Sequence, residues 1–221
     1  MKKEISASVM CADLTDLKSA IKELEKAEIE YIHIDIMDGT FVPNITLGFD
    51  LVNSIKKVTS IPLDVHMMVK EPGRFIDRMN SLNNSDFIVV HYEADTNIAD
   101  TLRRIREQGC KAGLAINPDT PVDAVRDIIP LADMLLVMTV HPGFAGQKII
   151  PNAEEKVEAA AGLLKELNIN IPIQVDGNMS LENGKKLCAK GADIFVLGTS
   201  ALFLKDKSIS EAAEDFRAVL I

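Results

Sequence analysis

The sequence predicts a (β/α)8 barrel from two observations. Eight short apolar runs recur at intervals of roughly 27 residues, and the stretches between them carry apolar residues at helical spacing. Runs that are apolar at every position are typical of parallel strands buried on both faces of a sheet. We therefore expect residues 1–221 to form one domain of the α/β class, a single (β/α)8 TIM barrel.

The predicted strands follow one another along the chain, each with a turn and a helix after it. They are Ile5–Met10, Tyr31–Ile36, Pro62–Val69, Phe87–His91, Lys111–Ile116, Met134–Met138, Ile171–Val175 and Ile194–Leu197. Helical period is clearest in Asp13–Ala27 and Glu154–Leu167, and Thr120-Pro121 followed by Asp123 resembles a helix start. A doubly wound open sheet is the alternative, but it usually has fewer strands and a glycine-rich fingerprint after the first, which this sequence lacks.

Composition and charge exclude several classes of function. The chain is 47% apolar and 26% charged, and its net charge of −9 disfavours nucleic acid or an anionic membrane surface as a partner. No apolar run approaches the length of about 18 residues that a membrane span needs. The N-terminus lacks the apolar segment of a signal peptide, and the three scattered cysteines are typical of reduced thiols. We therefore expect a cytoplasmic protein.

Polar residues at the ends of three predicted strands suggest a metal centre, because the active sites of such barrels lie at the carboxyl ends of the strands. His33 and Asp35 are two residues apart and point to one side of a strand, and Asp64 and His66 do the same. Asp176 ends the seventh strand. Burying imidazoles and carboxylates is costly unless something pairs with them. We predict that one divalent metal ion (Zn, Mn, Co, Fe or Mg) binds His33, Asp35, His66 and Asp176.

Other polar residues near the strand ends have less specific interpretations. Asp64 either orients His66 from behind or bonds the backbone. His91 and Glu93, at the end of the fourth strand, have no matching partner in the sequence, so we expect them to be structural or rim residues. His141 precedes a proline in a loop and its role stays open.

Glycine-containing loops after the last three strands predict a phosphate site. Glycines let backbone N–H groups approach an anion closely, and loops near the end of a barrel commonly hold phosphate in this way. An acidic protein needs such local donors to bind an anion. The predicted phosphate-binding residues are Gly143, Phe144, Ala145, Gly146, Gly177, Asn178, Gly198, Thr199 and Ser200.

Seven segments, taken in order, resemble the ribulose-phosphate 3-epimerase family, and the resemblance extends from about Ile5 to Phe203. These segments are Ser6–Ser8, His33–Gly39, Phe41–Asn44, Leu63–Met68, Asn117–Pro121, Met138–Gln147 and Val175–Gly177. Three further segments are closer in sequence to the D-allulose-6-phosphate 3-epimerase branch: Val9–Leu14, Gly143–Gln147 and Gly198–Phe203. Typical pentose-phosphate members more often have Leu-Ser-Ala-Asp-Phe in the first of these segments and Gly-Phe-Gly-Gly-Gln in the second.

The resemblance implies the same four metal ligands and gives roles to individual residues. It implies that Asp35 and Asp176 transfer protons and that Ser8 and His66 touch the substrate. It also implies that the glycine loops bind the phosphate, and it suggests a homo-oligomer. Many family members have two glycines after the catalytic aspartate, whereas the second position here is Asn178, whose side chain is therefore available to contact sugar or phosphate.

The function expected from the resemblance is metal-dependent 3-epimerisation of a ketose phosphate through an enediolate. D-allulose 6-phosphate and D-fructose 6-phosphate are the favoured pair, with D-ribulose 5-phosphate and D-xylulose 5-phosphate as the alternative. A related decarboxylating or condensing barrel would carry Asp-x-Lys-x-x-Asp on strand three, where this sequence has His66 in place of the lysine. A non-catalytic sugar-phosphate-binding barrel is a more remote alternative.

Methionines at the strand ends predict an apolar roof over the site. Met10, Met37, Met68 and Met138 all lie at or just past a predicted strand end. Methionine is also common as adaptable core filler, but this placement favours a roof that excludes water from the enediolate. The segment Phe41–Asn44 is the predicted lid.

Overall fold

The computed structural model describes residues 1–220, which form a closed barrel of eight parallel strands in chain order. The strands are β1 (Glu4–Ser8), β2 (Tyr31–Met37), β3 (Leu63–Met68), β4 (Phe87–His91), β5 (Lys111–Ile116), β6 (Met134–Met138), β7 (Ile173–Asp176) and β8 (Ile194–Leu197). The first strand pairs with both β2 and β8, which closes the barrel. The predicted fold is confirmed.

Helices follow the strands on the outside of the barrel. The α-helices are α1 (Leu17–Lys26), α2 (Phe49–Ile55), α3 (Ile98–Glu107), α4 (Ala153–Glu166), α5 (Leu181–Ala189) and α6 (Ile209–Val219). After β3 and β5 the connections are 3-10 helices instead. The α-helix expected after Thr120 is replaced by the 3-10 helices Val122–Val125 and Ile129–Leu131. Pro130 lies in the first turn of the second, where its missing N–H is tolerated. None of the helices in residues 1–220 is long and apolar enough to cross a membrane.

Strand ends differ from the sequence prediction by a few residues. The first strand stops at Ser8, where the chain turns into the 3-10 helix Val9–Cys11. The seventh starts at Ile173 rather than Ile171, since Pro172 has no N–H to contribute to the ladder. The first shift places Met10 in this 3-10 helix, just past the end of β1. The second leaves Asp176 at the carboxyl end of β7.

The inside of the barrel is divided between apolar and polar strands. Strands β4, β5, β6 and β8 contribute a compact apolar cluster that is separate from the larger core beneath the helices. This cluster consists of Phe87, Val89, Ala115, Met134, Leu136, Met138 and Ile194. Strands β1, β2, β3 and β7 instead bury the polar side chains of Ser6, His33, Asp64 and Gln174. The polar strands therefore determine where chemistry can occur.

Two helical glycines are expected to respond to alanine with opposite signs. A Cβ on Gly184 in α5 would lie 2.4 Å from Cζ of the fully buried Phe216, whereas a Cβ on Gly162 in α4 would meet nothing within 4 Å. Gly184→Ala should destabilise the fold by about 1–3 kcal/mol through overpacking. Gly162→Ala should stabilise it by about 0.5–1 kcal/mol through lower backbone entropy in the unfolded chain. Urea unfolding of both variants measures the difference, and destabilisation of equal size at both positions would contradict the packing argument.

Candidate active site

The four side chains predicted as metal ligands meet at the carboxyl end of the barrel. They are His33 and Asp35 on β2, His66 on β3 and Asp176 at the end of β7. One ligand atom from each lies within 4.8 Å of the others. The register of β2 against β3 contributes to this convergence, because it places Asp35 directly beside His66.

The two imidazoles present free nitrogens to the two carboxylates. Asp35 Oδ1 lies 3.3 Å from His33 Nε2 and 3.4 Å from His66 Nδ1, and Asp176 Oδ2 lies 3.7 Å and 3.6 Å from the same atoms. Both nitrogens are buried and neither makes a hydrogen bond of acceptable geometry. Since buried polar atoms are normally partnered, two nitrogens and two oxygens arranged in this way fit a divalent cation. The cluster could hold one metal ion.

The charges of the cluster compensate one another. Burial disfavours the ionised form of Asp35, but His33 and His66 outweigh burial and hold the pKa of Asp35 well below its usual range. Burial alone would lower the pKa of His33, yet the neighbouring Asp64 and Asp35 raise it well above its usual value. Protons on the imidazoles therefore balance the carboxylates, and a bound cation would take over that role.

Asp64 supports the cluster from below, through His33. Its Oδ2 atom lies 2.7 Å from His33 Nδ1 and accepts hydrogen bonds from Ser6 (2.8 Å) and Gln174 (2.6 Å). The expectation that Asp64 orients His66 is wrong. In the register of β2 against β3, Asp64 lies beside His33. His66 lies two residues further along β3, on the same face, and is beside Asp35.

His91 contacts the outer side of the cluster, which the sequence reasoning missed. Its Nε2 lies 2.8 Å from His66 Nε2, and the two rings meet edge to edge, with their centroids 5.0 Å apart and their planes 23° from parallel. Glu93 Oε2 lies 3.3 Å from His91 Nδ1. The available signal was strand alternation: His91 shares the inward face of β4 with Phe87 and Val89, next to β3.

A cavity opens above the two histidines. Asp35 and Asp176 line it together with the methionines Met10, Met37, Met68 and Met138 and with Ser8. Ser8 Oγ donates a hydrogen bond of 2.8 Å to Asp35 Oδ2. The rings of His33 and His66 are fully buried beneath the cavity. The substrate contact that the resemblance implies for His66 stays a prediction.

The glycine loops line the same cavity. All nine predicted phosphate-binding residues border it. Gly177 has φ +126°, and a Cβ there would lie 2.7 Å from Val140, so this turn requires glycine. The side chain of Asn178 donates a 2.6 Å hydrogen bond to the carbonyl of Gln147 and so ties two of the loops together. Cys11, at the end of the 3-10 helix that follows β1, also lines the cavity, which the sequence reasoning did not predict.

The predicted lid, Phe41–Asn44, contacts one of the loops that line the cavity. Asp38 forms an isolated antiparallel bridge with Ile45, which folds the segment between them back on itself. Asn44 Nδ2 donates a 2.8 Å hydrogen bond to the carbonyl of Gly143, and Phe41 packs on the His91 ring at 4.8 Å. The segment thus joins the β2 end of the site to the loop after β6.

A closed parallel barrel with two imidazoles, two carboxylates and glycine loops at its carboxyl end defines an enzyme of the TIM-barrel class. The model of the ribulose-phosphate 3 epimerase family matches residues 4–203, and the chain belongs to this family. It is therefore an epimerase, of the isomerase class.

Curated relatives extend over nearly the whole chain. The chain is 38% identical over 211 residues to the ribulose-phosphate 3-epimerase of Bacillus subtilis, covering 94% of this chain and 97% of the relative. It is 38% identical over 216 residues to the ribulose-phosphate 3-epimerase of Methanocaldococcus jannaschii, covering 95% and 91%.

Solved structures of lower identity share the fold. A mutant tryptophan synthase alpha-subunit from Pyrococcus furiosus superposes with a TM-score of 0.67 at 14% identity, covering 100% of this chain and 98% of that one. The 3-hexulose-6-phosphate synthase from Salmonella typhimurium gives 0.67 at 17%, covering 98% of each. At such identity these likenesses support the barrel alone.

Glu93 is expected to make stability depend on pH. Burial opposes its ionisation, but hydrogen bonds from His91, Thr120 and the Asn117 backbone hold its pKa at about 2, against 4.5 ordinarily. The unfolded chain therefore binds more protons between these values, so the contribution of Glu93 is complete above pH 4.5 and disappears as the pH falls towards 2.

Urea unfolding of chelator-treated wild type and Glu93→Gln tests this dependence. The difference in unfolding free energy should be larger at about pH 6 than at about pH 3. The exposed Glu214→Gln on α6 is the matched carboxylate-to-amide control. A Glu93→Gln difference that is equal at both pH values would contradict the assignment.

Proposed function

We propose that this protein interconverts the C3 epimers of a ketose phosphate with the help of a divalent metal ion. The observation that carries the proposal is the placement of Asp35 and Asp176 in one cavity, from different strands, with both histidines of the cluster beneath them. The family membership supports the same reaction.

Two carboxyl groups are what inversion at carbon requires. A single base would return the proton to the face that it left, so inversion needs a second group on the opposite face. In one direction the Asp35 carboxylate removes the C3 proton, which leaves an enediolate, and the carboxylic acid of Asp176 returns a proton to the other face. In the reverse direction the two groups exchange roles. Ser8 fixes Asp35 for this task by donating to its Oδ2 atom, which leaves Oδ1 facing the cluster.

The metal centre would consist of His33, Asp35, His66 and Asp176. A divalent ion held there would supply Lewis-acid stabilisation of the negative charge that develops on the substrate oxygens. His33 and His66, fully buried below the cavity, act as metal ligands in this proposal. The methionine roof, with Met37 and Met68 packed on Val42, excludes water from the reacting carbon.

The phosphate is expected to bind to backbone N–H groups rather than to side-chain cations. Within residues 1–220, no lysine or arginine lines the cavity, and the chain carries a net charge of −9. An anion therefore needs local donors. The loops Gly143–Gly146, Gly177-Asn178 and Gly198–Ser200 surround the cavity and supply such groups.

The names of the relatives favour a pentulose phosphate as the first substrate. D-ribulose 5-phosphate and D-xylulose 5-phosphate take first place because the relatives that cover most of the chain are ribulose-phosphate 3-epimerases. D-allulose 6-phosphate and D-fructose 6-phosphate, which three segments of the sequence favour, become the second candidate pair. The remaining expectations stay predictions: a homo-oligomer in the cytoplasm, one domain over residues 1–221, and no nucleic-acid or membrane partner.

Deuterium exchange tests the reaction and its two acid–base groups. In deuterium oxide the metal-replete enzyme should place deuterium on C3 of the substrate. Asp35→Asn and Asp176→Asn should each lower turnover by about 10²- to 10⁴-fold, and each should allow exchange from at most one of the two epimers, because one face keeps its base.

The matched control is Asp77→Asn, whose side chain is 88% exposed and remote from the cavity. It should leave turnover unchanged. No deuterium incorporation with either sugar phosphate would refute the proposed reaction, and wild-type rates in Asp35→Asn or Asp176→Asn would refute the two-base mechanism.

A comparison of kcat/KM separates the two substrate pairs. Both offer the same C2–C4 region and differ by one carbon, which a pocket distinguishes by about 1–3 kcal/mol. We expect activity on both, with ribulose 5-phosphate preferred by about 10- to 200-fold. A higher kcat/KM on allulose 6-phosphate would reverse the assignment of the first substrate.

A further inference from the structure

A buried chain of hydrogen bonds leads away from the metal-binding cluster through side chains that the proposed mechanism does not use. His66 Nε2 lies 2.8 Å from His91 Nε2, and His91 Nδ1 lies 3.3 Å from Glu93 Oε2. Both rings are fully buried, and the Glu93 side chain is 23% exposed. These hydrogen bonds start at Nε2 of His66, whereas Nδ1 of the same ring lies next to Asp35 and Asp176.

We propose that His91 and Glu93 form a positioning pair that fixes the tautomer of His66 and presents its Nδ1 atom to the divalent metal ion. This inference rests on the proposed metal centre. It treats neither residue as catalytic, because neither lines the cavity that contains Asp35 and Asp176.

The positions of the protons follow from the geometry. A metal ligand nitrogen must be unprotonated, so a neutral His66 that binds through Nδ1 carries its proton on Nε2. Two ring nitrogens 2.8 Å apart share one proton, so His66 Nε2 donates and His91 Nε2 accepts. His91 then carries its own proton on Nδ1, and this N–H donates a hydrogen bond to Glu93. One arrangement of protons satisfies all three residues.

The loop after β5 holds Glu93 in the role of acceptor. Its Oε1 atom accepts hydrogen bonds from the backbone N–H of Asn117 (2.8 Å) and from the hydroxyl of Thr120. Lys156 on α4 donates to the carbonyls of Asn117, Pro118 and Thr120 and so fastens this loop. Since Oε1 already accepts from these donors, Oε2 is the atom that accepts the hydrogen bond from His91 Nδ1.

The two histidines of the cluster are thus oriented by different means. Asp64 accepts directly from His33 Nδ1, which leaves Nε2 for the metal. On His66 the ring is turned, so Nδ1 faces the metal and a second imidazole takes the place of the carboxylate. Ligand histidines usually donate their other N–H to such a partner, and losing that partner costs about 10- to 100-fold in metal affinity.

An alternative role for His91 is packing alone, since Phe41 lies against its ring at 4.8 Å. Packing requires the shape of the side chain but neither its acceptor nor Glu93. Glutamine at position 91 separates the two roles, because its amide oxygen can accept from His66 while its NH₂ group donates to Glu93. Leucine at position 91 fills space without either function.

Glu93→Gln is expected to weaken metal binding while leaving the shape of the side chain at position 93 nearly unchanged. An amide NH₂ facing His91 would favour a proton on His91 Nε2, which would oppose the proton on His66 Nε2. An amide NH₂ facing the other way would oppose the N–H of Asn117 and compete for Thr120. Either orientation weakens the arrangement that leaves His66 Nδ1 free.

Zinc affinity of the full-length protein, measured against a chromophoric chelator, tests the pair. His91→Leu and Glu93→Gln should bind Zn²⁺ about 10- to 100-fold more weakly than wild type, and His91→Gln should lose less than about tenfold. The exposed His141→Gln is the matched control and should bind as wild type does. Equal affinity of His91→Leu and His91→Gln would overturn the proposal in favour of packing.

Long-range ¹H–¹⁵N correlation spectra of the zinc-loaded wild type give an independent readout that needs no substitution. His91 should carry its proton on Nδ1 and His66 on Nε2, and the opposite tautomer of His91 would overturn the proposal. Failure of the wild type to bind Zn²⁺ would refute the metal centre itself. Wild-type binding with unaltered affinity in His91→Leu and Glu93→Gln would overturn the positioning pair alone.

Discussion

The rest of the site depends on one constraint, the burial of imidazoles and carboxylates at the centre of the barrel. Such groups are costly to remove from water unless each finds a partner. Here Asp35 and Asp176 oppose His33 and His66, so each charge faces its complement within 4.8 Å. The two ring nitrogens without a hydrogen bond, His33 Nε2 and His66 Nδ1, face the carboxylates of Asp35 and Asp176. A divalent cation bound there would satisfy this arrangement.

Further polar residues hold the cluster in shape. Asp64 anchors the underside of His33 and is itself fixed by Ser6 and Gln174 from neighbouring positions inside the barrel. On the other side, the Nε2 edge of the His91 ring meets Nε2 of His66. These contacts occupy the outward nitrogens of both imidazoles. A buried ligand whose far side is bonded cannot rotate freely, and such support is what preorganised sites require.

The division of the barrel interior explains why the site lies where it does. Four strands fill their inner side with an apolar cluster that includes Phe87, Met134 and Leu136, and this cluster gives the polar strands a rigid surface to pack on. The cavity above them combines two carboxylates with methionine side chains and glycine turns. Carboxylates, an apolar roof and backbone donors therefore surround the same small volume. The segment Phe41–Asn44 links the end of β2 to Gly143, in one of the loops that line this cavity.

The sequence by itself determined the eight-stranded barrel and the cluster of His33, Asp35, His66 and Asp176. Both follow from local rules: apolar runs of strand length and side chains two apart that share a face. Only the tertiary structure decided that Asp64 pairs with His33 and that His91 reaches His66. Those pairings depend on how far each strand is shifted against its neighbour, and the closure of the whole barrel, which no single segment of the chain encodes, sets that register.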